Sequence, residues 1–233
     1  MSEDNLIYNS SEWKTLSFTY VEYPKDDAFG KFMAILALAP LWIGSAFSGV
    51  ILRCRDLHTI FFFIGILLNE VLNMTLKYMI REPRPAVRNN YYVEFGMPSS
   101  HSQFMLFFTT YTILFLLKRL HHNSPLEKIV RGLVIAFCCI ITALVCYGRV
   151  YLLYHTVSQV FVGACIGASF GFIWFLFVHV ILTPFVFPRI VSWKISELLL
   201  IRDTSLIPNI LFFEYTATRQ ECRARSRKNM KMQ

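Results

Sequence analysis

Long apolar runs alternate with short polar breaks along most of this chain. The runs cover roughly Phe32 to Leu52, Thr59 to Ile80, Ser102 to Leu117, Gly132 to Tyr147 and Val157 to Leu182. About 20 apolar residues in helical form cross the ~30 Å hydrocarbon core of a bilayer. A spanning segment must also satisfy its own backbone, so the pattern predicts transmembrane helices. The breaks carry matching punctuation. Arg53, Cys54, Arg55 and Asp56 make a short basic turn, Pro83 and Pro85 stop the second helix, and Pro98 marks the start of the third. Lys118 to Arg131 form a polar loop, and a tight turn holding Arg149 follows the fourth run. In the fifth, Gly163, Gly167 and Gly171 recur every four residues, which predicts close contact with another helix. The expected fold is all-α: a polytopic membrane helical bundle of about five transmembrane helices.

The bundle divides the chain into three parts. Residues 1–31 read as a polar N-terminal tail without the apolar stretch of a cleavable signal peptide. Residues 32–182 read as the membrane core, and 183–233 as an interfacial segment and a basic tail. Leu198 to Phe213 is apolar but interrupted by Arg202, Asp203 and Pro208, so it is expected to lie on the membrane rather than cross it again.

Composition agrees with this pattern. Of 233 residues, 55% are hydrophobic and 22 are Phe, too apolar for a soluble domain. A net charge of +8 would suit nucleic acid, but the basic residues flank the apolar runs, where Lys and Arg set membrane topology. Membrane lipids are therefore expected as neighbours and nucleic acid is not. The six cysteines show no zinc spacing, and Cys138, Cys139, Cys146 and Cys165 lie within apolar runs as packing residues. The sequence leaves the oligomeric state open.

Charge also assigns the two faces. With five crossings, Arg53, Arg55, Lys118, Arg119, Lys128, Arg131 and the basic C-terminal tail fall on one side. Excess Lys and Arg belong in the cytosol. The acidic N-terminal tail and the three remaining loops are then expected to be luminal, together with the glycosylation sequon Asn9-Ser10-Ser11.

Those three loops carry the candidate chemistry. Glu70, Asn73 and Lys77 share one face of the second helix. Polar groups at membrane depth either pack helices together or line a site, and both readings fit this stripe. Lys77 leads into Arg84-Pro85. Pro98-Ser99-Ser100-His101 opens the third helix, and Arg149 precedes His155 in the turn after the fourth. Phosphoryl transfer needs cationic donors on the equatorial oxygens, an in-line nucleophile and a proton for the leaving oxygen. Lys77, Arg84 and Arg149 supply charge, the arginines in bidentate fashion. The amides of Ser99, Ser100 and His101 at a helix N-terminus add neutral donors, and two histidines offer a nucleophile and an acid. His58, His121, His122 and His179 are read as polar tips at the membrane interface, and Arg53 and Arg119 as topology anchors.

These residues resemble the type 2 phosphatidic acid phosphatase superfamily, which includes the vanadium haloperoxidases. Its pattern is Lys-x6-Arg-Pro, then Pro-Ser-Gly-His, then Ser-Arg-x5-His-x3-Asp. Lys77, Arg84 and Pro85 match the first part; Pro98, Ser99, Ser100 and His101 the second; Gly148, Arg149, His155 and Gln159 the third. The resemblance implies that His155 is the nucleophile, forming a phosphohistidine, that His101 protonates the leaving group, and that no metal or cofactor is required. Three positions depart from the pattern: Ser100 for glycine, Gly148 for serine, and Gln159 for the aspartate that orients the nucleophile. A neutral amide can accept the histidine's N–H but stabilises imidazolium less.

Over nearly its whole length the chain is similar to one branch, the dolichyldiphosphatases of the endoplasmic reticulum. The similarity includes Val21-Glu22-Tyr23-Pro24, Leu68-Asn69-Glu70, Phe95 to Met105, Arg149 to Thr156, and Ile201 to Asn209. That resemblance implies hydrolysis of dolichyl diphosphate, a polyprenyl lipid substrate, to dolichyl phosphate and inorganic phosphate at the luminal face. The carrier lipid of protein N-glycosylation would thereby be recycled. The alternatives are a phosphatase for other lipid phosphates or shorter isoprenoid diphosphates, and a non-catalytic lipid transporter on the same fold. The intact cationic and histidine set argues against the last.

Overall fold

The computed structural model describes residues 13–16, 21–85, 95–119, 125–207 and 209–232. The sequon at Asn9, and His121 and His122, lie outside the described residues. Strands β1 (Trp13–Leu16) and β2 (Val21–Pro24) pair antiparallel. Helices α1 (Ala28–Leu36), α2 (Ala39–Cys54), α3 (Leu57–Ile80), α4 (Ser100–Lys118), α5 (Pro125–Tyr151) and α6 (Val157–Leu176) follow. Beyond α6 come a π-helical stretch, Phe177–Val186, then α7 (Phe187–Val191), α8 (Lys194–Leu198) and α9 (Ile210–Met232).

Four segments among the described residues are long and apolar enough to cross a membrane: Ala28–Cys54, Leu57–Ile80, Pro125–Tyr151 and Val157–Val191. The protein is thus a multi-pass membrane protein. α4, the expected third crossing, is shorter and more polar, and it packs against α2, α3, α5 and α6. Its Ser102, Gln103 and Thr109 are buried by protein rather than exposed to lipid, so the apolar surface that defines a lipid-facing helix is not required of it.

The first crossing is broken at Ala37–Leu38. Pro40, in the first turn of α2, has no N–H to continue the ladder from α1. The last crossing runs beyond Leu182 to Val191. Pro184 sits inside the π-helical stretch, where the wider turn absorbs its missing hydrogen bond.

The glycine repeat of α6 seats against α4. A Cβ on Gly163 would lie 2.7 Å from the Ser99 carbonyl oxygen, one on Gly171 2.9 Å from that of Phe107, and one on Gly167 would overlap the Gln103 carbonyl. The two backbones touch because nothing stands between them, and α6 is thereby fixed against the helix whose first turn carries His101. The aromatic core, Phe62, Phe104, Phe107, Tyr111 and Phe175, lies below this contact. His58 belongs to it. It is buried rather than an exposed tip, because the Tyr111 hydroxyl reaches its Nε2 at 3.2 Å and Phe115 and Phe187 enclose it.

At the basic end of the bundle, residues 200–207 together with Asn209 form a strap. Arg202 donates to the Cys54 carbonyl at 2.8 Å and pairs with Glu214 at 2.6 Å, and Asp56 accepts from both the amide and the hydroxyl of Thr204. Arg119 donates to the Ser205 carbonyl, and Asn209 to Glu127 at 3.1 Å. Arg202, Thr204, Ser205 and Asn209 thus tie together the ends of α2, α3, α4 and α5, and Asp203 braces the strap by accepting from the amide and hydroxyl of Ser205.

Candidate active site

Each motif reaches the opposite end of the bundle by a local device. α5 ends at Tyr151, and the chain then turns through Leu153 with φ 55°. The amides of Tyr154 and His155 both donate to the Arg149 carbonyl, at 3.0 and 3.2 Å. This closed turn explains the Arg-x5-His spacing, because it carries His155 back beside Arg149. Arg149 is 5% exposed, and its guanidinium stacks over the Tyr154 ring at 3.9 Å. Tyr154 is itself held by the N-terminal hairpin, since the Glu22 amide donates to its hydroxyl at 2.9 Å. α3 ends at Ile80, capped by the left-handed Arg81, whose amide donates to the Lys77 carbonyl. The next residues run non-helically through Arg84 and Pro85.

His155 is the best defined group. Its Nδ1 lies 2.9 Å from the Gly96 carbonyl oxygen and 3.2 Å from Oε1 of Gln159. Both partners only accept, so Nδ1 carries the proton and Nε2 keeps its lone pair. Nε2 is buried and meets no hydrogen-bond partner among the described residues. Burial, and after it the positive charges of Arg149 and Arg84, push the His155 pKa down to about 3, with Lys77 adding to the same effect and the Gln159 hydrogen bond opposing it. Lys77, Arg84, Arg149 and His155 therefore share one electrostatic neighbourhood. His101 belongs to it too, feeling Arg149, His155 and Lys77. Its Nε2 donates to the Ala37 carbonyl at 3.1 Å, at the break between α1 and α2.

The α4 N-terminus is only partly available as a set of anion donors. The Ser99 amide donates to the Gln159 carbonyl at 3.1 Å, because α4 and α6 start side by side. The amides of Ser100 and His101 lie in the first turn, where the helix supplies no acceptor. Asn73 packs helices together: it is fully buried and donates to Gln103 Oε1 at 2.8 Å and to the Pro98 carbonyl at 3.4 Å. Gln103 donates in turn to Asn69. Glu70 is half-buried on α3, and Lys77, on the same face, reaches the site electrostatically.

Gln159 is fixed by its whole carboxamide. Its Nε2 donates to Glu82 Oε1 at 2.8 Å and to the Pro83 carbonyl at 2.9 Å, which turns Oε1 toward His155. Gln159 also closes a capping box with Thr156 at the start of α6. Sequence reasoning missed Gly96, Ala37, Tyr154 and Glu82. Two of these act through backbone carbonyls, which every residue has. Glu82 left a trace, as a lone acid inside an otherwise basic motif.

Residues 58–182 match the PAP2 superfamily. Among curated proteins, Dolichyldiphosphatase 1 of Mus musculus is 46% identical and that of Homo sapiens 45%, each alignment covering 98% of both chains. Among solved structures, the fold is similar to that of a transmembrane PAP2-type phosphatidylglycerolphosphate phosphatase from Bacillus subtilis. That match has a TM-score of 0.56 and 21% identity, and covers 67% of this chain and 80% of the other. The chain belongs to the PAP2 superfamily and, within it, to the dolichyldiphosphatase family.

Proposed function

We propose that this membrane enzyme hydrolyses dolichyl diphosphate to dolichyl phosphate and inorganic phosphate at the luminal face of the endoplasmic reticulum, recycling the carrier lipid of protein N-glycosylation. Identity to dolichyldiphosphatases along the whole chain supports the substrate. The collection of basic residues at the end of the bundle opposite the site supports the luminal assignment.

His155 Nε2 attacks the terminal phosphorus, the bond to the bridging oxygen breaks, and dolichyl phosphate leaves. Water then attacks the phosphohistidine, releasing inorganic phosphate and returning the electron pair to Nε2. Lys77, Arg84 and Arg149 neutralise the equatorial oxygens, and the first-turn amides of α4 add neutral donors. His101 donates to the Ala37 carbonyl from Nε2–H, so Nδ1 is the bare nitrogen of the neutral ring; it passes a proton to the leaving oxygen from the imidazolium, after taking one up from solvent beside the bound diphosphate. The observation that carries this reading is the buried Nε2 of His155, with Nδ1 held by two acceptors and three cations around the ring.

Phosphate release by the purified protein in detergent with EDTA tests the assignment. Dolichyl diphosphate should be preferred over phosphatidate. Equal or better turnover of phosphatidate would reassign the substrate.

A further inference from the structure

Gln159 stands where the superfamily pattern has an aspartate, which leaves the nucleophile's Nδ1–H facing two neutral oxygens. A carboxylate is present one residue further out. Glu82 Oε1 accepts from Gln159 Nε2 at 2.8 Å, while Gln159 Oε1 accepts from His155 Nδ1 at 3.2 Å. The same residue holds the second acceptor. The Glu82 carbonyl accepts from the Gly96 amide at 2.7 Å, and the Gly96 carbonyl accepts from His155 Nδ1 at 2.9 Å. A Cβ on Gly96 would lie 2.7 Å from the Gln159 amide, so the two arms also pack against each other. Glu82 therefore brackets His155 twice, once through its backbone and once through its side chain.

We propose that Glu82 is a positioning residue for the reaction. Its carboxylate polarises the Gln159 carboxamide and so delivers to His155, at one remove, the negative charge that the missing aspartate would supply. The carboxamide suits this task because it donates at one end and accepts at the other. Chained hydrogen bonds in a low-dielectric site strengthen one another, so the anion at the far end makes Oε1 a better acceptor for the imidazolium-like charge that develops as Nε2 attacks. Among the described residues, the charges that act on His155 most are cationic, Lys77 from α3, Arg84 from the following loop and Arg149 from α5, with His101 of α4 in the same neighbourhood. Glu82 is the acid that the hydrogen bonds connect to the ring. The inference rests on His155 being the nucleophile.

The test is a double-mutant cycle on dolichyl diphosphate hydrolysis, with kcat and KM read separately. Glu82→Gln keeps an acceptor but removes the charge. It should lower kcat by about 10-fold, the size of one lost charge-assisted hydrogen bond, with KM little changed. In a Gln159→Asp background, the charge sits directly beside His155 and faces Glu82. There Glu82→Gln should lose much less, or raise kcat by relieving repulsion between the carboxylates. The same fold loss in both backgrounds would overturn the relay, since the effect of Glu82 would then not pass through residue 159. His155→Ala, run alongside, separates the two claims. If it turns over substrate, the nucleophile assignment falls and the relay with it. If it is dead while the losses are additive, only the relay falls.

Discussion

Gly167 of α6 lies so close to the carbonyl of Gln103 in α4 that a single added carbon would overlap it. Gln103 is no bystander. Its side chain holds Asn73 and Asn69 of α3, so the helix contact and the three-helix polar junction meet at one residue.

Gly167→Ala should therefore cost more than a typical overpacked position. The obstructing atom is backbone, which cannot swing aside, so the loss is expected at or above the ~1–3 kcal/mol usual for inserted methylenes. Thermal unfolding in detergent would read it. Gly132→Ala, inside α5 with open space around the position, is the control and should cost nothing or stabilise by up to about 1 kcal/mol.

The cationic groups separate by geometry as well as by charge. Arg149→Lys should lower kcat/KM strongly, because a lysine loses both the planar fork for phosphate and the stacking on Tyr154. Arg84→Lys should also be costly, whereas Arg53→Lys, at the far end of the bundle, should leave turnover unchanged. His101→Ala should slow turnover toward the lower end of the roughly 100- to 10,000-fold span for general acids, since the leaving phosphate monoester is already a stable anion. Full activity of Arg84→Lys would mean that charge alone suffices there.

The depressed pKa of His155 has a consequence for stability. Folding moves it from its ordinary 6.5 to about 3. Below pH 6.5 the unfolded chain takes up a proton that the folded chain refuses. The contribution of neutral His155 is thus intact above that pH and is lost as pH falls toward the folded value. Between about pH 7 and about pH 4.5 this group alone would remove up to about 2–3 kcal/mol. His155→Asn should lose less apparent melting temperature over that window than the parent. Identical pH dependence in the two proteins would contradict a buried neutral ring.

Sidedness is testable without the activity. Single cysteines placed at Ser10 and Asn89 should react with an impermeant thiol reagent only after microsomes are opened, and one at Ser124 should react in sealed microsomes. Labelling of the Asn89 variant in sealed microsomes would put the site in the cytosol.

The helices were legible because bilayer crossings demand long apolar runs, and the grouping of Lys77, Arg84, His101, Arg149 and His155 was legible because each sits at the end of such a run. The glycine repeat also announced its contact, since small residues every four positions leave one face of a helix bare. What the pattern hid was connectivity made by backbone. Nothing marks the Gly96, Ala37 or Arg149 carbonyls as partners of His155 or His101 until the turns that aim them exist. The strap at 200–207 was similarly opaque. Arg202 looked like an interruption of an interfacial helix, whereas it and Thr204 bond to the α2–α3 turn, 148 positions away in the chain. The side chain of Gln159 was correctly paired with His155, but the Glu82 behind it required three-dimensional proximity across the α3–α4 loop.

The central claim is that His155 becomes covalently phosphorylated. Rapid mixing of the purified protein with dolichyl diphosphate labelled in its terminal phosphate, followed by quenching in base and peptide mapping, tests it most directly. The account predicts an acid-labile, base-stable phosphopeptide carrying His155, formed at least as fast as steady-state turnover and missing in His155→Ala. Turnover by His155→Ala at a rate near the parent's, or label on any other residue, would contradict it.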